Sequence, residues 1–317
     1  MPRVGYNPAN VTIKTDARVT IDKAFIAHLE LTAAQAAAAS AAGVMALTNL
    51  GAAAQEVTVG LAHPAVPRSL SIVGNVSGIT GNVVITGTNY AGQEIEETIA
   101  LNGTTTVNGN KAFRSVTQVD LPVQVHTPVA QVETATAAGT VTTAGRAKCT
   151  LTADGMPGSP LHVPFDVELG DGANEIAAAL RAALANHAIV DITAYFGISG
   201  EGAEVILTAK VPAANDTTLN ILIDDGEGEG ASEGVTLAAT SANTTAGVPY
   251  DKVSVGWGNK LGLPYMLEHN TVMAAYLNNT IESTPPTVAV DDDEIEKNTV
   301  LLVSALNGTV VDIYLIV

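Results

Sequence analysis

The chain has 317 residues, enough for two ordinary domains with a core each. Apolar residues make up 47% but aromatics only 4%, so Val, Ile, Leu and Ala must do the packing. Fourteen Lys and Arg against 32 Asp and Glu give a net charge of −18, a field that repels a phosphate backbone and argues against nucleic-acid binding. The one cysteine, Cys149, rules out an intramolecular disulfide and a Cys-based metal centre. No run reaches the ~18 apolar residues of a membrane-spanning helix. Met1 to Tyr6 lacks the basic-then-apolar layout of a secretory signal, so a soluble protein made in the cytoplasm is expected.

Along the chain, residues 1 to about 30 alternate weakly (Val11, Ile13, Val19, Ile21) and hold four basic residues, Arg3, Lys14, Arg18 and Lys23. They read as an extended arm with room for a strand. Leu31 to Ala46 is Ala-rich, with Thr32 as N-cap, Gln35 three residues on and Gly43 as a stop, which predicts a short helix. From Glu56 to Val123 the pattern is β: Val57–Val59, Leu70–Val73, Val83–Ile85 and Ile95–Leu101, punctuated by Gly74-Asn75, Gly81-Asn82, Asn102-Gly103 and Asn108-Gly109 turns.

Beyond Thr127 a distinct unit begins. Strands are predicted at Ala147–Thr152, Leu161–Val167, Ile192–Ile198, Ala203–Ala209 and Asn220–Ile223. One amphipathic helix, Asn174 to His187, carries Ile176, Leu180 and Leu184 at i, i+4 and i+8. After Val248 the β pattern returns, with strands at Val272–Leu277, Thr287–Val290, Thr299–Val303 and Val310–Val317. The last of these is apolar enough to require pairing in a sheet. The expected fold is therefore mainly β: a discontinuous β-sandwich or barrel-like core, an inserted small α+β module and an extended N-terminal arm. Residues 1–40 form the arm and helix start, 41–130 plus 248–317 the β core, and 131–247 the insert. The insert holds four Lys and Arg against 15 Asp and Glu, so −11 of the −18 lies there.

Few residues suggest chemistry. The six histidines (His28, His63, His126, His162, His187, His269) have no HxH or HxxxH spacing. Asp224, Asp225, Glu227 and Glu229 alternate on a Gly-rich loop and could wrap Ca²⁺, but the EF-hand spacing is missing and a solvated acidic loop is the preferred reading. Asp291 to Glu296 reads as a helical turn or loop. Glu96 and Glu97 point to opposite faces of a strand and cannot serve one substrate as an acid–base pair. No phosphate loop, nucleophile elbow or zinc-protease motif is present. No cofactor is expected and no enzyme activity is read.

Three segments carry a resemblance. Ile85-Thr86-Gly87-Thr88, Gly92, Glu97-Thr98-Ile99, Leu101-Asn102-Gly103-Thr104 and Lys111-Ala112-Phe113 resemble a segment that recurs in structural proteins of tailed bacteriophages. Gly158-Ser159-Pro160, Ile176-Ala177, Arg181–Leu184, Leu207–Lys210, Ala214-Asn215-Asp216, Thr218–Ile221 and Thr240–Val248 are similar to a module of phage tail and head proteins. Val253–Gly258, Lys260–Tyr265 and Ala305–Thr309 resemble head-proximal phage proteins. The resemblance implies a virion structural protein, made in the host cytoplasm. Its best expectation is a decoration protein cementing the outer surface of the head. Arg3, Lys14, Arg18 and Lys23 would then bind the shell, the acidic insert would project outward, and the partners would be the major capsid protein and copies of itself in a homo-oligomer, a trimer being one form. A tail tube or tail-decorating protein is the alternative, and a glycan-binding fibre component a third, disfavoured by the scarcity of aromatics.

Overall fold

The computed structural model describes residues 12–13, 19–20, 26–267, 270 and 272–316. It divides into two compact units, residues 1–125 with 251–317 and residues 126–250. In the first, the Val125 N–H donates to Asp251 Oδ2 at 2.7 Å. In the second, Val129 and Val248 exchange a pair of backbone hydrogen bonds at 2.9 Å. The two chain crossings thus leave each unit side by side, as an insertion requires.

Among the described residues the regular structure of the discontinuous unit is β apart from one 3₁₀ turn, Ile295–Lys297. One four-stranded sheet runs in the order Gln55–Val57, Ser115–Leu121, Asn82–Thr88, Glu94–Ala100. It faces a second sheet ordered Thr287–Ala289, Thr299–Leu301, Lys252–Gly262, Arg68–Gly74, Val107–Phe113, with Ser40–Asn49 also pairing the long Lys252–Gly262 strand. Val83, Ile85, Ile99 and Val119 of one sheet pack on Leu70, Ile72, Phe113 and Val255 of the other. Alternate residues of each strand supply this sandwich core, as period-two patterning demands.

A third sheet, ordered Thr280–Ile281, Val272–Leu277, Val311–Ile316, Ile26–Leu31, covers a separate core of Ala27, Leu31, Ile313 and Leu315 against Leu261, Leu263 and Val300. The predicted last strand is therefore central in its sheet, flanked on both sides.

The Lys252–Gly262 strand serves both cores: Val253 and Val255 enter the sandwich, and Leu261 enters the second core. Between them the strand bulges, because Trp257 pairs with Leu70 but Leu261 pairs with Arg68. The opposite neighbour bulges at the same level, where Ser69 pairs with Ala112 and Ser71 with Asn108. Arg68, 1% exposed, lies at this level. Its guanidinium donates to Gly258 O from Nε (2.9 Å) and Nη2 (2.5 Å), and to Ala37 O from Nη1 (2.7 Å). Burial lowers its pKa to about 10, which leaves it protonated at neutral pH.

The Ala-rich segment is not a helix. Thr32 and Gln35 do form the reciprocal cap: the Thr32 N–H donates to Gln35 Oε1 at 2.9 Å and the Gln35 N–H to Thr32 Oγ1 at 3.4 Å. One turn closes with Ala36 N–H on Thr32 O, and then the chain extends into the Ser40–Asn49 strand. Small residues are required there by packing rather than by helix propensity. A Cβ on Gly43 would come within 2.6 Å of the Trp257 ring, so Gly43 seats the indole instead of ending a helix. Tertiary pairing with the Lys252–Gly262 strand overrides the local preference. At the end of the segment read as an arm with room for a strand, Ile26–Leu31 is a strand of the third sheet. Of the rest, only the short pair Thr12–Ile13 with Val19–Thr20 is described.

The inserted unit holds a four-stranded sheet (Phe196–Ser199, Glu204–Ala209, Val132–Thr136, Ala242–Thr245), a three-stranded sheet (Leu161–Val167, Gly145–Thr152, Asn220–Asp224) and a two-stranded pair, Gly139–Thr143 with Glu233–Val235. Helix α1, Ala173–Ala185, buries Ile176, Ala177, Leu180 and Leu184, the stripe that its periodicity predicts. Arg181, off the stripe, donates to Gly202 O (3.3 Å) and Glu204 O, tying the helix to a strand. Ile192–Ala194 is a 3₁₀ turn rather than the start of a strand.

Two reporters separate the units. Trp257 is the sole tryptophan and lies in the first, whereas Cys149, fully buried with its pKa pushed up to about 12, lies in the core of the second. Arg68→Leu strands the buried Gly258 carbonyl and the half-buried Ala37 carbonyl, so a loss of about 2–3 kcal/mol is expected in urea unfolding followed by Trp257 fluorescence. In the same variant, the protection of Cys149 from a thiol reagent should stay at the wild-type level.

Candidate functional site

The residues suggested by sequence do not converge. In the acidic loop, Asp224 Oδ1 accepts the Asp225 N–H at 2.9 Å. Asp225 holds the neighbouring strand, accepting from Val235 N (3.0 Å), Gly234 N (3.3 Å) and Ser232 Oγ (3.3 Å). Glu227 pairs with Lys148, and that hydrogen bond and charge hold its carboxyl below the usual range. Glu229 is exposed. Each carboxylate that makes a contact thus has a loop-fixing partner. Arg3, Lys14, Arg18 and Lys23 lie outside the described residues, as does His269.

The motif residues of the insert are structural. Asp216 accepts from Thr218 Oγ1 (2.6 Å), Thr218 N (2.8 Å) and Asp154 N (2.7 Å). Gln131 clamps the same residue's backbone through both its amide atoms, at 2.7 and 2.9 Å. Asn215 Oδ1 accepts from Asn243 Nδ2 and Gly247 N, and Asn220 Oδ1 from the Ser241 N–H. These side chains close turns, which explains why Asn, Asp and Thr sit there. Three histidines likewise have local partners: His63 Nδ1 accepts the Val116 N–H, His162 meets Thr150, and His187 Nδ1 accepts the Val190 N–H.

The group that does assemble is on the outer face of the C-terminal sheet. His28 pairs in register with Tyr314 and Glu30 with Asp312, while Tyr276 pairs with Asp312 on the other side. Paired residues share a face, so these five side chains stand together opposite the core. The His28 ring stacks on Tyr314 with centroids 4.5 Å apart and planes 2° from parallel, and Tyr276 meets Tyr314 edge-on at 6.0 Å. His28 Nε2 lies 2.7 Å from Asp312 Oδ1.

Among the described residues, His28, Glu30 and Asp312 are the one set of three whose ligand atoms fall within 4.8 Å of one another. One imidazole with two carboxylates suits a borderline divalent ion such as Zn²⁺ or Mn²⁺. Ile281 and Met273, each 57% exposed, and Ile316, 38% exposed, extend the same sheet with apolar surface. The sequence does hold the signal, in the alternation Ile26, His28, Glu30 and Asp312, Tyr314, Ile316. It identifies a face only once the two strands, far apart in sequence, are known to pair.

Glu96 and Glu97 do point apart: Glu96 is exposed, whereas Glu97 is half-buried. Glu97 Oε1 accepts from Asn110 N (2.5 Å) and Lys111 N (3.3 Å), and Oε2 is buried with no hydrogen-bond partner. Burial raises its pKa above the ordinary 4.5, against the pull of those hydrogen bonds and of Lys111 and Lys260. Comparison with family models, curated proteins and solved structures finds no match.

A carboxyl with a raised folded-state pKa weakens the fold while ionised. That cost is relieved as pH falls through the folded value toward the unfolded one. Relative to Glu97→Gln, wild-type stability should therefore improve as pH is lowered from about 7 toward 4.5, a trend that urea midpoints at several pH values would check.

Proposed function

We propose that this chain is a structural subunit of a tailed-bacteriophage virion and binds the outer surface of the head as a decoration protein. The observation that carries the reading is the C-terminal sheet. It has an outer face of stacked Tyr314 and His28, Tyr276, Ile281 and Met273, beside the Ile26–Leu31 strand, which among the described residues has a ladder on one side only.

Rigid aromatics and Met are the residues enriched where proteins meet. An edge strand offers unpaired backbone groups to an incoming strand. Together they suit attachment by strand addition and apolar packing, repeated over many copies. The arm residues precede this edge directly in the chain. The charge distribution supports the same division of labour: the unit bearing the face carries −7 and the inserted unit −11, so the more strongly charged unit is not the one that bears the face. The three resemblances to phage structural proteins supply the particle.

Separating purified particles into heads and tails and counting this chain in each by mass spectrometry tests the placement. Hundreds of copies with the heads are expected, and enrichment with tails would overturn the head assignment. Tyr276→Ala with Ile281→Asp should reduce binding of the purified subunit to heads lacking it by tenfold or more, the scale of one interface hot spot. Circular dichroism and urea midpoints would verify that the variant is folded.

A further inference from the structure

We propose that His28, Glu30 and Asp312 hold one divalent ion of the Zn²⁺ type on the outer face of the C-terminal sheet. The site belongs to the isolated chain and does not rest on the assignment of that face to the head. Strand register creates it. Glu30 stands directly opposite Asp312 and His28 opposite Tyr314, and the two-residue period puts His28 and Glu30 on one face. Carboxylates opposed across a ladder repel, and the sheet loses stability unless a positive group lies between them. Among the described residues neither carboxylate forms a salt bridge with Lys or Arg; the one pairing is Asp312 with His28.

All three ligating side chains are open to solvent. Those of His28 and Asp312 are 31% and 17% exposed, and Glu30 is exposed. Asp312 and Tyr314 also line an open cavity of about 320 Å³ with Tyr276 and Asn279, which admits water on the other side of Asp312. The ligand atoms lie within 4.8 Å of one another, and His28 Nε2 is 2.7 Å from Asp312 Oδ1. Around an ion bound at about 2.0–2.2 Å, neighbouring tetrahedral donors are about 3.4 Å apart. The close pair therefore opens slightly and Glu30 swings inward.

His28 supplies what a purely acidic patch lacks. Its ring is stacked on Tyr314 with planes 2° from parallel, so the nitrogen lone pair is oriented in advance of binding. The incoming ion takes that lone pair, and any proton on Nε2 leaves to water. One imidazole nitrogen with two carboxylate oxygens favours Zn²⁺, Co²⁺ or Mn²⁺ over Ca²⁺ and Mg²⁺, which prefer all-oxygen shells. Three protein ligands leave the fourth position to water. Bound there, the ion replaces repulsion between the two strands with a shared attraction and ties Ile26–Leu31 to Val311–Ile316.

The full chain, dialysed against a chelator, would be titrated with ZnCl₂ by calorimetry, with Co²⁺ absorption as a second readout. One site with Kd of about 10 μM or tighter is expected. Glu30→Gln and Asp312→Asn should each weaken it tenfold or more, whereas His162→Ala, at an exposed histidine of the inserted unit, should leave it unchanged. Urea midpoints distinguish a metal site from a merely structural cluster. Without metal, Glu30→Gln should equal or exceed the wild type, because it removes a like-charge pair. With ZnCl₂ at about a hundred times Kd the order should reverse, since only the wild type retains all three ligands. Absence of binding up to about 1 mM Zn²⁺ would overturn the proposal, as would wild-type affinity in either carboxylate variant.

Discussion

The guanidinium of Arg68 ties three segments of the discontinuous unit together at one point. It belongs to the Arg68–Gly74 strand, yet its donors go to Gly258 on the adjacent strand and Ala37 beyond the single turn. Both flanking strands bulge at its level, and the two hydrophobic cores divide there. A charge this buried is tolerable only when its donors are occupied, and the Gly258 carbonyl at the bulge and the Ala37 carbonyl after the turn provide the acceptors. Without the arginine both carbonyls lose this donor.

This junction also accounts for the division between what sequence reveals and what it does not. The periodicity of Ile176, Leu180 and Leu184 and the alternation through Ile95–Leu101 are local, and both elements appear where the pattern puts them. The Ala-rich segment is misread because its cap is genuine but its continuation is decided by Trp257, more than two hundred residues away. Arg68 looks like an ordinary basic residue before a strand. Nothing near it in sequence signals burial, because its partners come from two distant segments. The face of His28, Tyr314 and Tyr276 is hidden for the same reason. The acidic loop has the opposite fate: its spacing stands out in the sequence, yet Asp225 is occupied in holding the strand beside it.

The two units differ in how they spend their polar side chains. In the inserted unit Asp216, Asn215, Asn220 and Gln131 are turned inward on turns and backbone, so the residues most evident in its sequence are those of its architecture. In the β unit Ser69, Glu97 and Asn259 each leave a buried oxygen unpaired, against Glu133 in the insert among the described residues, and further polar groups stand on the outer sheet face. Unsatisfied or exposed groups that cost stability are where a binding role has physical room. That asymmetry directs attention to the β unit for recognition and to the insert for bulk and charge.

The third sheet has a further consequence for how the molecule is made. His28 and Asp312, hydrogen-bonded across adjacent strands, are 284 residues apart. The inserted unit closes its contacts within residues 126–250 and can fold while translation continues. The Ile26–Leu31 strand must wait for Val311–Ile316 to leave the ribosome, and it bears the loop-closure cost of that long interval. The outer face of the sheet thus appears only after Val311–Ile316 has been made, and a nascent chain that stops short of those residues cannot present it. A contact made through that face is therefore closed to shorter nascent chains by the order of synthesis itself.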